Sequence, residues 1–377
     1  MLDLIQIRHD LHQIPEVCFH ERETSDYLFR IIGGLTKDHL GVEVTRGQTG
    51  IVVFLPGTAP EKTIGWRADM DGLAVKEETG LPFASKHEGF MHACGHDVHM
   101  TIGLGVLEQL LAQPRKNNFV VLFQPAEEGG GGAKALYDAG AFAQYKVSEF
   151  YALHVSPEYP LGTIATKAGT LFASSSTVVV TFNGKAGHAA MPHKTIDAIA
   201  AAGAFIMEIQ TLVSRNLNPR EGSVLTFGRI AGGTQPNSVA ASCTLEGTLR
   251  VLTATTMEFA HKRIREIAEG VALAAGAQVE VAIESGAYLP VDNNEELTNR
   301  FIAYAKAHPA FRFQEAEITM TAEDFGYIVN HIPGMMFWLG VGGADRGVVL
   351  HSDTFAPDES VIEPAFRFIG EYLSSLH

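Results

Sequence analysis

Residues 91–100 read MHACGHDVHM, which places one cysteine and three histidines (His92, Cys94, His96 and His99) within ten positions. Thiolate and imidazole at that density point to a transition-metal site. The plain alternative is a group of surface or core histidines. Against it stand matching ligand types at the ends of three later strands. The residues that follow, TIGLGVLEQLLAQ, read as a helix with an apolar face. Cys94 and His96 then fall in the turn before that helix or in its first turn. There, unpaired N–H groups and the helix dipole favour a thiolate.

The other candidates sit where short apolar runs end. TIGWRA leads into Asp69 and Asp71, two carboxylates one residue apart. NFVVLFQ leads into Pro125, Ala126, Glu127 and Glu128, then four glycines. Adjacent carboxylates repel, so a site holding both beside a cation can give them different duties. One ligates, and the other moves protons. The glycines let the backbone turn tightly; they are not a phosphate loop, because no Lys-Ser/Thr follows in register. VSEFYALHV carries His154 near its end, and VVLHSD carries His351. Successive strands with polar residues at their C-terminal ends are the pattern of an open α/β active site.

Collected, the ligand candidates are Cys94, His96, Glu128, His154 and His351, with Asp69 and Asp71 close behind. Five or more ligands exceed one tetrahedral site and suggest two divalent ions. Glu127 is left as a base. Two ions beside such a carboxylate suit hydrolysis: the metals lower the pKa of a bound water and polarise a carbonyl while the carboxylate shuttles the proton. The thiolate allows zinc; carboxylate and imidazole allow manganese or cobalt.

The elements that position these residues follow from periodicity. Helices are expected over 2–12 and 23–36, strands over 50–55, 63–68, 118–124 and 147–155. From about residue 170 the pattern changes to a strand over 176–183, a helix over 195–215, strands over 223–230 and 243–252, a helix over 255–275 and a strand over 278–283. That β-α-β-β-α-β order is the split βαβ unit of a ferredoxin-like sandwich. The α/β pattern then resumes with a helix over 297–307, a strand over 334–341 and a closing helix over 359–376. The expected fold class is therefore α/β. A discontinuous catalytic domain (1–170 and 286–377) with a mixed sheet surrounds an inserted ferredoxin-like lid or dimerisation domain (171–285).

Composition narrows the rest. At 377 residues the chain exceeds a single core of usual size. A formal charge of −15 argues against nucleic acid or an anionic membrane surface as a partner. Three widely spaced cysteines (Cys18, Cys94, Cys243) make no disulfide framework, and a reducing cytoplasm fits best. The N-terminal residues lack the apolar run of a signal peptide, and no apolar run is expected to reach the length of a membrane span. No tandem repeat is found. The Ala-, Ile- and Phe-rich helix over 195–215 is more apolar than a solvated helix needs, so a homodimer or dimer-based tetramer joined through the inserted domains is expected.

The words RADMDGL, MHACGHDVHM, FQPAEEGGGGAK, ALHV, GHAAMPH, AEDFGY and LHSDTF, in that order, resemble the aminoacylase and carboxypeptidase-like family of dinuclear metallohydrolases. More narrowly, they resemble its amidohydrolase branch of hippurate and auxin-conjugate hydrolases. The family's fold is a metallo-exopeptidase-like catalytic domain with an inserted lid. The resemblance implies metal ligands at Cys94, His96, Glu128, His154 and His351, a general base at Glu127, and a ligand-orienting carboxylate at Asp71. It places Asp69 where many relatives carry a ligating histidine. His188 matches a residue expected to hydrogen-bond the developing oxyanion, often across a dimer. Asn237 lies where relatives bind the substrate carboxylate, although the usual Asn-Val-Ile-Pro is here Asn-Ser-Val-Ala. The implied substrate is a small N-acyl amino acid. LHVSPEYPLGTIATKAG and TAEDFGYIVNHIPGMMFWLGV narrow the resemblance to the branch's deacetylases, with a hippurate-like or general N-acyl-amino-acid hydrolase as the alternative.

Overall fold

The computed structural model describes residues 2–343 and 348–376. The first part of the chain forms α1 (Leu4–His12), α2 (Arg22–Thr36), β1 (Glu43–Gly47), β2 (Gly50–Leu55), β3 (Thr63–Asp69), α3 (His96–Ala112), β4 (Asn118–Gln124), α4 (Gly132–Asp138), β5 (Glu149–Ser156), β6 (Thr163–Thr166) and β7 (Gly169–Phe172). Then come β8 (Ser176–Asn183), β9 (Gly187–His188), α5 (Ala198–Thr211), β10 (Ser223–Gly232), β11 (Ser238–Val239), β12 (Ser242–Val251), α6 (Ala254–Ala275) and β13 (Gln278–Glu284). The last part holds β14 (Val291–Asn293), α7 (Glu295–Ala307), β15 (Arg312–Glu315), α8 (Phe325–Val329), β16 (Gly334–Gly340) and α9 (Ile362–Ser375).

The chain divides into two compact units. One comprises Met1–Leu171, Val291–Glu317 and Asp324–His377; the other comprises Phe172–Pro290 and Ile318–Glu323. The second unit thus starts near the expected position, ends five residues later, and takes in a short piece of the last segment. That piece joins it because the Ala173 N–H donates to the Thr319 carbonyl at 3.1 Å.

In the first unit, eight strands form a mixed sheet in the order β1-β2-β4-β3-β5-β16-β6-β15. β4, β3 and β5 run parallel, with Asp69 opposite Gln124 and Arg67 opposite Ala152. Their C-terminal ends therefore share one edge, which brings Asp69, the turn after Gln124, and His154 to the same level. β3 and β5 are buried along their whole length, which explains their continuous apolar character. The edge strands β1 and β15, and the short β6 between β16 and β15, carry too few apolar residues for periodicity to reveal them.

α3 begins at His96, earlier than its apolar run suggests, and nearly all of it is buried. It packs against β3 on one side and α1 and α9 on the other. Gly105 lets α9 approach: a Cβ there would lie 2.6 Å from the Phe366 ring. The closing helix is also shorter than expected, because Glu359–Val361 forms a 3-10 turn ahead of α9.

In the second unit, β10, β12, β8 and β13 form an antiparallel sheet in that order, with α5 and α6 packed on it. This is the strand order of a ferredoxin-like sandwich. Val178, Val180 and Phe182 meet Phe205, Ile209 and Ile264 in its core. α5 starts at Ala198 rather than 195, because Asp197 caps it by accepting the Ile199 and Ala200 N–H groups. After Thr211 the backbone loosens into a π turn, Leu212–Asn216. Together Ala198–Asn216 is long and apolar enough, by length and composition only, to cross a membrane, a test that a helix packed on a sheet also passes. Its Ala198, Ala201, Phe205 and Ile209 face is buried on the unit's own sheet, while Met207 is 76% exposed.

Candidate active site

The edge shared by β3, β4 and β5 collects the expected ligands. Cys94 precedes Gly95, whose φ of +86° forms the tight turn into α3, so His96 opens the helix. Cys94 Sγ lies 3.3 Å from His154 Nε2 and 3.3 Å from His351 Nε2. His351 Nε2 lies 3.1 Å from Glu128 Oε1. The ligand atoms of Cys94, His96 and His154 all fall within 4.8 Å of one another, as do those of Cys94, Glu128 and His351. The cysteine is common to both groups. His351 reaches the site from a turn with φ +63°, not from a strand end as its sequence context suggests; its N–H is anchored on the Ala93 carbonyl at 2.8 Å.

The histidine tautomers follow from their partners. His154 Nδ1 lies 2.7 Å from the Val155 carbonyl, and His96 Nδ1 lies 2.8 Å from the Asp71 carbonyl. A carbonyl only accepts, so each Nδ1 carries a proton and Nε2 is the nitrogen left to face the other ligand candidates. His96 Nε2 is buried with no hydrogen-bond partner. Burial and the neighbouring His99 push His154 down to about 3, so its imidazole is neutral.

The electrostatics ask for a cation. Burial by itself would lower the His96 pKa, but Asp69, Asp71 and Glu128 overcome it and push it up to about 10. Burial also pushes the Cys94 thiol well up, and Glu128, Glu127 and Asp69 add to the shift. The thiolate expected from the helix dipole is therefore not what the chain alone stabilises: burial and three carboxylates outweigh a partial charge. A divalent ion held by these residues would reverse both effects, favouring the thiolate and taking over the charge that His96 balances. A buried thiol, three imidazole Nε2 atoms, that of His96 without a hydrogen-bond partner, and a carboxylate form a donor set that fits such an ion.

Glu127 and Glu128 leave β4 on a turn in which Ala126 has φ +57°. Asp71 fixes that turn by accepting the Glu127 N–H at 3.0 Å and the Glu128 N–H at 2.9 Å. Glu127 is buried, and its Oε1 accepts the Asp324 N–H at 3.3 Å. Asp69 is committed elsewhere: its oxygens meet Arg67 and His99, each at 2.5 Å. Burial would raise its pKa, but Arg67, His96 and His99 hold it well below the usual carboxylate range.

Several residues in the matched words were given no individual role in the sequence reading. His99 Nε2 accepts the Val155 N–H at 3.0 Å, so its proton is on Nδ1 and goes to Asp69. Both nitrogens are used, which makes it a brace for the strand carrying His154. Arg67 is fully buried between Asp69 and Asp324, and Gln124 donates to the same Asp324. An arginine inside a β-strand that runs into an aspartate was the available signal. His92 is also buried, and burial pushes it down to about 3; it belongs to none of the ligand groups.

The remaining expected residues, His188 and Asn237, lie in the second unit. β9 pairs with β11, placing His188 opposite Ser238, and the Ala189 N–H donates to the Asn237 carbonyl at 3.1 Å. The two residues therefore sit on one exposed ribbon. His188 Nδ1 accepts the Ala190 N–H at 3.1 Å, which leaves the proton on Nε2 as a donor.

The chain is similar to N-acetyldiaminopimelate deacetylase of Streptococcus thermophilus, with 49% identity over 99% of this chain and 98% of the relative. It is similar to the enzyme of that name from Enterococcus faecalis, with 48% identity over the same shares. Among solved structures, a protein from methicillin-resistant Staphylococcus aureus superposes with a TM-score of 0.92 at 31% identity, covering 98% of this chain and 95% of that one. A dinuclear metal-binding peptidase of family M20 from Bacillus subtilis superposes with a TM-score of 0.84 at 31% identity, covering 98% and 96%. The family described as peptidase family M20/M25/M40 matches residues 65–375. With its ligand cluster at one sheet edge and this likeness along nearly its whole length, the chain belongs to peptidase family M20/M25/M40.

Proposed function

We propose that the chain is a metal-dependent amide hydrolase that converts N-acetyl-L,L-diaminopimelate and water to L,L-diaminopimelate and acetate, a step of lysine biosynthesis by the acetylated route. The observation that carries the chemistry is the shared position of Cys94 between the His96–His154 and Glu128–His351 groups, with Glu127 buried beside them. The substrate rests on the full-length likeness to the named deacetylases.

Cys94, His96, Glu128, His154 and His351 would hold two divalent ions, of manganese, zinc or cobalt. When bound, such ions acidify water and polarise a carbonyl. Glu127 takes a proton from the attacking water. It passes that proton to the amide nitrogen as the C–N bond breaks, so that acetate and the free amine leave. Asp71 orients the turn that carries Glu127 and Glu128, and its carbonyl sets the His96 tautomer. His188, a donor through Nε2, is assigned to the developing oxyanion, and Asn237 to the substrate carboxylate. The second unit serves as lid and dimerisation domain in a cytoplasmic homodimer or dimer-based tetramer.

The test is acetate or benzoate release from a panel of N-acetyl and N-benzoyl amino acids, each with added manganese, cobalt or zinc. The expected result is highest kcat/KM on N-acetyl-L,L-diaminopimelate. Preference for benzoylated substrates would move the assignment to a hippurate-like hydrolase. No hydrolysis with any metal would reject it.

A further inference from the structure

Three consecutive peptide N–H groups, those of Ala126, Glu127 and Glu128, end on buried carboxylates. Asp71 takes the second and third. The first goes to Glu21, whose Oε1 lies 2.8 Å from the Ala126 nitrogen. Glu21 stands at the start of α2 and is 0% exposed. Its Oε1 also accepts the Phe19 N–H at 3.0 Å, and its Oε2 accepts the Thr49 hydroxyl at 2.6 Å. One buried carboxylate thus ties the loop before α2, the turn between β1 and β2, and the turn that carries Glu127.

Ala126 is the strained point of that turn. Its φ of +57° is left-handed, a conformation that costs a residue with a Cβ and persists only where the surroundings impose it. Its carbonyl accepts the Gly132 N–H at 3.0 Å, and its own N–H is held by Glu21. Without the second anchor, relaxation of Ala126 towards negative φ would swing the Cα of Glu127 and redirect its carboxylate.

We propose that Glu21 is a positioning residue for Glu127: it holds Ala126 in the left-handed conformation that aims the base. This rests on the reading of Glu127 as the base. It adds a residue from a distant, unremarkable stretch (PEVCFHERE) to the working site.

The test uses the metal-loaded full chain and the variants Glu127→Gln, Glu21→Ala, Glu21→Gln and Glu21→Ala/Ala126→Gly. Glu21→Ala should lose about a hundredfold in kcat, the scale of a misplacement near 1 Å, with KM and metal content close to wild type. Glu21→Gln, whose amide oxygen still accepts, should lose less. Glycine reaches positive φ without the Cβ penalty, so adding Ala126→Gly to Glu21→Ala should recover roughly tenfold. Amide hydrogen exchange at Ala126 should be faster in Glu21→Ala than in wild type. Unchanged kcat in Glu21→Ala, or a loss that Ala126→Gly leaves unrelieved, overturns the proposal. If Glu21→Ala does not fold, Glu21→Gln with and without Ala126→Gly carries the same comparison. Normal turnover in Glu127→Gln would remove the base reading instead, and exchange at Ala126 would then report on its own whether Glu21 holds the turn.

Discussion

Asp71 accepts the backbone N–H of Glu127 at 3.0 Å, and its other oxygen accepts that of Glu128 at 2.9 Å. Its main-chain carbonyl meanwhile takes the Nδ1 proton of His96. One residue thus orients the proposed base and two proposed ligands. Asp71→Asn keeps the carbonyl but leaves one oxygen to serve two N–H groups. It should lower metal affinity or kcat by about 10- to 100-fold, the usual effect of losing a ligand's orienting partner. Chelator competition and steady-state kinetics measure this, and wild-type values for both would remove Asp71 from the orienting role.

Glu127→Gln should lower kcat by about two to four orders of magnitude while metal content stays at the wild-type level. The side chain is buried beside the ligand groups but is held through its backbone by Asp71, so the amide should not disturb the turn. Metal analysis together with turnover separates loss of a proton shuttle from loss of the site.

Cys94 is common to two ligand groups, whereas Cys243 is buried in the β12 core of the other unit. Cys94→Ala should lose metal and activity together, and Cys243→Ala should keep both. Inductively coupled plasma analysis decides it: wild-type metal content in the Cys94 variant would refute the assignment.

His188 has its proton on Nε2, as an oxyanion donor requires. Losing such a donor costs about 3 kcal/mol of transition-state stabilisation, so His188→Ala should lower kcat roughly a hundredfold or more with metals retained. Mixing inactive Glu127→Gln and His188→Ala subunits tests where the residue acts. Recovered activity means that it serves the partner's site; none, with subunit exchange confirmed, keeps it in its own. Light scattering checks the assembly, and a fully active monomer at assay concentration would rule out the proposed dimer.

His12 predicts a pH dependence of stability. Its Nδ1 lies 2.9 Å from Asp97, which also meets Arg8 at 2.9 Å, all buried. Burial would lower the pKa of His12, but Asp97 and Glu77 raise it from 6.5 to about 9. The folded state therefore binds this proton more tightly than the unfolded chain. The stabilisation is fully present below pH 6.5 and is lost as pH rises through about 9. The stability gap between wild type and His12→Asn should shrink by an amount on the order of 3 kcal/mol from about pH 6 to about pH 9.5. Denaturant unfolding at the two pH values measures it, and a gap independent of pH would show that His12 is neutral in the fold.

The sequence by itself determined the parts of this protein that are local. Strands over 50–55 and 118–124 were legible to the residue, because short apolar runs rich in β-branched and aromatic residues and closed by turn residues admit few other conformations. The β-α-β-β-α-β order of the second unit was legible from the alternation of periods. Cys94 and His96 stood out through the density of cysteine and histidine over 91–100, and Glu127, Glu128 and His154 as polar residues near the ends of apolar runs.

The tertiary structure alone decided what depends on contacts between distant segments. That His99 holds both Asp69 and the Val155 N–H, and that Glu21 reaches Ala126, are hydrogen-bond choices across 30 to 105 residues of chain. Periodicity carries no information on such pairings. The protonation of the cluster is likewise collective. Cys94 looks like a thiolate when only the helix dipole is counted. It becomes a thiol once burial and the surrounding carboxylates are included, because the field at a buried site is summed over every neighbour that folding brings near.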